Sequence, residues 1–188
     1  DQAELAVRLS GGRLDRARDL SGSRAPLRDV FVGATVGLDG SGSVALRVAD
    51  EWGAAVDADL ASLLAELEQE AAELEAEIER AGYPDRAASA MRKRLADAHK
   101  RRERRRRTDA LIEGITALES VYRDALAPDA ERRNVDRPAL RVNARDASES
   151  LDACRAARTA LVDHNPNETL LLERLVLHLA TGAEPSDG

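Results

Sequence analysis

Residues 57–107 leave the chain few ways to fold. Leu60, Leu64, Leu67, Ala71, Leu74 and Ile78 recur at spacings of 4, 3, 4, 3 and 4, the seam of a helix that packs along one narrow stripe. Glu66, Glu68, Glu70, Glu73, Glu75, Glu77 and Glu79 occupy the other faces. Gly82-Tyr83-Pro84-Asp85 then stops the helix, because glycine frees the backbone and proline cannot continue the hydrogen-bond ladder. A second long helix begins near Asp85, with Ala88, Met91, Leu95 and Ala98 as its stripe. Folding back about the turn sets Glu73 near Arg94 and Glu66 near Arg101, so an acidic helix lies along one bearing Arg92, Lys93, Arg94 and Lys100. The prediction is an antiparallel coiled-coil hairpin about 40 Å long at 1.5 Å per residue.

The remainder fits an all-α helical bundle from which this hairpin is an insertion. Aromatic residues make up 2% of the 188 residues, namely Phe31, Trp52, Tyr83 and Tyr122, too few for a β-sandwich or barrel. Leu5, Val7, Leu9, Leu14, Ala17 and Leu20 read as two helices parted at Ser10-Gly11-Gly12, the second entering at Arg13. A further helix is expected from Pro26 to Val36, burying Leu27, Val30, Phe31 and Ala34. The glycine-rich stretch 37–42 marks a domain boundary, and Ser43 is the expected cap of the next helix, which buries Trp52 and Val56. After the hairpin the second helix continues through Leu111, Ile115, Leu118 and Tyr122 and ends at Ala127-Pro128. Pro138 opens a short helix. Asp146 caps one carrying Ala147, Leu151, Cys154, Ala157 and Leu161. Asn165, Pro166 and Glu168 start the last helix. That helix is apolar nearly all round, so Leu171, Leu172, Leu175, Val176 and Leu179 are candidates for an interface.

Catalytic signatures are missing. No phosphate-cradling loop, G-x-S-x-G or H-E-x-x-H stands in the sequence. His99, His164 and His178 lack metal-ligand spacing and read as structural or solvated, and Cys154 reads as a small buried thiol. With a single cysteine there is no disulfide framework, and no apolar run is long enough for a membrane span. The chain therefore reads as a soluble cytoplasmic fragment without cofactor, metal or small-molecule substrate. The one dense charge feature is the run Lys100, Arg101, Arg102, Glu103, Arg104, Arg105, Arg106 and Arg107, seven cations and one anion for a net of +6. Leu63, Leu64, Ala65 and Glu66 are expected opposite it and cannot neutralise it. Three readings stay open: a solvated or internally paired face, a protein contact, or a nucleic-acid phosphate contact without base stacking. The chain's net charge of −7 confines any such contact to a local patch.

The order of segments resembles the C-terminal part of the delta-prime family of bacterial DNA polymerase III clamp-loader subunits. Val7-Arg8-Leu9-Ser10-Gly11-Gly12-Arg13-Leu14-Asp15-Arg16-Ala17 resembles the helix-turn-helix of an AAA+ lid. Tyr122-Arg123-Asp124-Ala125-Leu126, with Asn134-Val135-Asp136, resembles the collar helix and its following loop. Arg155 to Leu161 and Asn165 to Glu173 resemble the final helix pair, and the Arg-rich, Ala-rich usage is similar to actinobacterial members. The resemblance implies a lid remnant over 1–37 and a collar domain over 38–181 with the 57–107 arm as an insertion; the residues 182–188 themselves read as a disordered tail. It implies a non-hydrolysing subunit whose partners are the gamma/tau ATPase and delta subunits, with DNA reached through the complex. In active relatives a sensor arginine stands three residues after the lid glycine; here that position is Asp15. A carboxylate there would repel a nucleotide phosphate, so no catalytic or cofactor-binding residue is carried over.

Overall fold

Every element among the described residues of the computed structural model is helical, as expected for a chain rich in alanine, leucine, glutamate and arginine. The structure describes residues 2–12, 14, 17, 18, 22, 24–39, 41–127, 132–164 and 166–181. The expectations at Arg13, Asp15, Arg16, Asn165 and the tail 182–188 lie outside the described residues. Among the described residues six α-helices are formed: α1 (Gln2–Ser10), α2 (Ala25–Gly33), α3 (Gly42–Ala81), α4 (Asp85–Leu126), α5 (Ala144–Asp163) and α6 (Glu168–Thr181). A 3-10 turn, Ala34–Gly37, extends α2. No strand occurs among the described residues.

The apolar stripes of five helices meet in one core. α2 contributes Leu27 and Phe31, α3 the face from Ala45 to Leu60, and α4 the face from Ala110 to Tyr122. Ala147, Leu151, Cys154, Ala157 and Leu161 of α5 close one side, and Leu172, Leu175, Val176 and Leu179 of α6 the other. Trp52 lies at the centre, fully buried, with its ring stacked on Phe31 at a centroid distance of 4.7 Å and an interplanar angle of 8°. Phe31 in turn lies on the α4 backbone at Gly114, where a Cβ would come within 2.6 Å of the ring. The residue type at Gly114 is therefore set by packing, despite the cost of glycine within a helix. Leu38, after the 3-10 turn, is buried in the same core as Phe31 and Ala45.

α3 and α4 are 40 and 42 residues long, about 60 Å each at 1.5 Å per residue. They run antiparallel, and their far halves extend beyond the core as an arm. Gly82 ends α3 in the left-handed conformation (φ 61°, ψ 41°), its N–H donating to the carbonyl of Ile78 at 3.0 Å, a glycine C-cap. Past Leu60 the apolar seam thins. Leu67, Ile78 and Ala88 are buried, Leu74, Met91, Leu95 and Ala98 are half-buried, and Leu64 and Ala71 are exposed. A stripe that includes two alanines on α4 is too small to cover every layer of the leucine seam.

Several local expectations are corrected. Ser41, not Ser43, caps α3, its Oγ accepting from Val44 N–H at 3.3 Å. Asn143, not Asp146, caps α5: its Oδ1 accepts from Asp146 N–H at 2.9 Å while its Nδ2 donates to the Asp146 carboxylate at 2.7 Å. Asp146 instead lies in the first turn, where the helix dipole favours a negative charge. α6 begins at Glu168, with Asn167 Oδ1 accepting from Leu170 N–H at 3.1 Å. Pro138 opens no helix; Leu140 and Val142, in the irregular segment after it, pack against the core. Val30 faces outward, and Val32 is buried in its place against Ala117 and Val121.

Candidate functional site

Helix geometry divides the basic run of α4 into two faces. Toward α3, Arg102 donates from Nη1 to both Glu70 oxygens at 2.6 and 2.8 Å and lies 3.8 Å from Glu66. His99 Nε2 is 3.0 Å from the same Glu70 carboxylate. Arg106 Nε lies 2.9 Å from Asp59, whose side chain is 3% exposed. Arg107 reaches both Asp57 on α3 and Glu168 on α6, tying the base of the arm to the last helix. The expectation that the facing stretch cannot neutralise the run is therefore corrected. Arginine side chains span a helical turn or more, so Asp57, Asp59 and Glu70 on either side of 63–66 serve as partners. The Arg102 hydrogen bond, with His99 second, holds the Glu70 carboxyl below its usual range. Burial alone would lower the Arg107 pKa; its bonds to Asp57 and Glu168 outweigh that and raise it.

The other face has no such partners. Lys100, Arg101 and Arg104 are exposed and make no ion pair or side-chain hydrogen bond among the described residues. Arg105 is 86% exposed and 4.0 Å from Asp109, a surface contact of little energetic weight. Lys93 and Arg94 extend this exposed face toward the arm tip.

The interface candidates on α6 are corrected as well. Leu172, Leu175, Val176 and Leu179 point into the chain's own core, and Leu171 is packed partly against it. Periodicity alone could not choose between faces of a helix apolar nearly all round. What remains outward is Leu170, 62% exposed, and Leu177, 45% exposed, lining a shallow groove with Glu173, Arg174 and His178.

A buried polar network at the other end of the bundle escapes sequence periodicity altogether. Arg28 of α2 is 3% exposed. Its guanidinium donates to Asp136 at 2.9 and 3.0 Å, to Asn134 Oδ1 at 2.7 Å and to Asp29 at 3.1 Å. Asn134, itself buried, donates from Nδ2 to Asp124 at 2.9 Å and to Ser120 at 3.1 Å, both on α4. Asp124 also accepts the backbone N–H groups of Arg133 and Asn134. Burial by itself would raise the Asp136 pKa, but the Arg28 and Arg137 guanidiniums outweigh it and pull it down to about 2. The network pins the segment after α4 against α2 and the end of α4. The one visible signal was the pair of polar residues Asn134 and Asp136, on either side of Val135, in the segment after α4.

Next to it, a cleft of about 450 Å³ is lined in part by Arg28, Glu113, Glu119, Arg123, Arg133 and Arg155. Charges of both signs line it, and neither a histidine nor a cysteine is among its lining residues. Cys154 is buried, and burial together with Glu119 pushes its thiol up to about 12, far from a reactive thiolate. His164 is exposed in the turn after α5. No group of three or more potential metal ligands occurs among the described residues. No described helix is long and apolar enough to cross a membrane. No family model, curated protein or solved structure matches the chain.

Proposed function

We propose that this chain is a non-catalytic protein-interaction module, the lid-end and collar part of a clamp-loader subunit that takes its place in the ring by helix packing. The observation that carries the reading is α6. After burying four of its apolar residues in the chain's own core, it still presents Leu170 and Leu177 to solvent beside Glu173 and Arg174. Apolar residues rimmed by charge are the composition of a protein interface. The clamp-loader assignment rests on the order of three sequence segments, and it implies the gamma/tau ATPase and delta subunits as neighbours, with the loading of a sliding clamp on primed DNA as the shared task.

Size exclusion with light scattering, on the chain alone and mixed with cognate ATPase and delta subunits, tests the reading. Co-elution at moderate salt is expected. It should be lost in Leu170→Glu/Leu177→Glu, whose helical circular dichroism should match the parent because both side chains are already exposed. A monomer that ignores both subunits overturns the assignment.

A further inference from the structure

We propose that the outward face of α4 in the arm, Lys93, Lys100, Arg101, Arg104 and Arg105, binds the phosphate backbone of duplex nucleic acid without reading its sequence. Four observations converge. On a helix of 3.6 residues per turn these five positions fall on one side, and the structure exposes all of them. They span about 18 Å along the axis at 1.5 Å per residue. The carboxylates that neutralise the rest of the run are used elsewhere, with Glu70 taken by Arg102 and His99, Asp59 by Arg106, and Asp57 by Arg107. Asp97 and Glu103 are the exposed carboxylates within this span, two against the five cations, and Asp109 lies 4.0 Å from Arg105 at its inner end.

The chemistry of the face selects the ligand. A protein partner is held through Trp, Tyr or Arg anchors buried in packed pockets at the centre of the contact, whereas these cations stand exposed with no aromatic or large apolar side chain on their face to pack around them. Single-stranded nucleic acid is held largely by base stacking on aromatic rings. The arm's exposed aromatic, Tyr83, stands at the hairpin turn, about 25 Å along α4 from Lys100 at 1.5 Å per residue. Regularly spaced cations without anchors or rings suit a duplex backbone, whose binding is driven by counterion release. The chain's overall charge of −7 repels nucleic acid elsewhere, so contact is confined to the arm.

Fluorescence anisotropy of the 188-residue chain with a labelled 30-base-pair duplex of arbitrary sequence, between 25 and 150 mM NaCl, tests this. The logarithm of the binding constant should fall with the logarithm of salt with a slope of about −4, near −0.9 per neutralised phosphate. Lys100→Gln/Arg101→Gln/Arg104→Gln should make that slope shallower by nearly 3 units and leave circular dichroism unchanged, because none of the three holds the fold. Arg102→Gln, which removes an internal ion pair, should leave the slope within about half a unit of the parent. Absence of binding at 25 mM NaCl overturns the proposal, as does a triple variant that keeps the parental slope. Binding of polyglutamate as tight as the duplex at equal charge concentration would assign the face to an acidic protein and equally overturn it.

Discussion

The base of the molecule and its arm are built from the same two helices and are held together by different forces. In the base, α3 and α4 are surrounded by α2, α5 and α6, and Trp52, Phe31, Ile115 and Leu118 are excluded from water. Past Leu60 they have only each other. Three residues, Leu67, Ile78 and Ala88, are buried in the arm, while Arg92–Glu75 and Arg102–Glu70 close the gap at 2.6 Å. Apolar burial is roughly proportional to area and is not screened by salt, whereas exposed ion pairs are weak and screened. The arm is thus the less stable part of a continuous pair of helices, a shape that suits reaching a partner while the base stays rigid.

The comparison breaks most sharply at Trp52. Trp52→Ala removes the largest side chain of the core along with its stack on Phe31, and should cost about 3–5 kcal/mol. In urea titration the base and arm would unfold together at a much lower midpoint. Next in size is Arg28→Met, which leaves Asp136 and Asn134 without their buried donor. A loss of about 2–3 kcal/mol is expected, with the increased amide exchange concentrated in 132–137 and the start of α2.

Acid sharpens the same point. The Asp136 carboxyl is depressed in the folded chain, so its contribution is complete above its ordinary pKa near 4 and disappears as pH falls toward about 2. Chemical denaturation between pH 5 and 2 should show this loss in the parent chain and a smaller one in Arg28→Met, where Arg137 alone still pairs with Asp136. A curve of the same shape in both would mean that Arg28 is not what holds the carboxylate charged.

The arm responds to smaller changes. Gly82→Ala forces a Cβ into the left-handed region at the hairpin turn and should cost about 1 kcal/mol, read as faster exchange at the arm tip with the base unaffected. Smallest of all is Glu70→Gln, which weakens the pairing with Arg102 and His99 at once. A few-fold acceleration of arm amides is expected at low salt, and 1 M NaCl should erase the difference from the parent. An equal effect in the base would show that arm and base open as one unit.

Much of this was legible before any coordinates. The turn at residues 82–85, the two long helices and their register follow from heptad spacing and one glycine-proline pair. The expected pairing of Glu73 with Arg94 and Glu66 with Arg101 is the register in which Glu75 meets Arg92. The bonds themselves form between neighbours of the expected pairs, because long flexible side chains choose partners within a turn of helix. For the same reason Arg106 and Arg107 found Asp59 and Asp57, and with Arg102 on Glu70 three of the seven cations in an apparently unneutralised run are paired to other helices.

The apolar periodicity of the sequence determined by itself that this chain is helical, where its long helices turn and which stripe of most helices is buried, since those properties depend on residues a few positions apart. Tertiary structure decided what sequence distance hides. It set which leucines of an all-apolar helix face the core, which arginines are used internally, and that Arg28 meets Asp136 across 108 positions. Such contacts depend on where whole helices dock, and docking is a property of the core's shape that no local pattern contains.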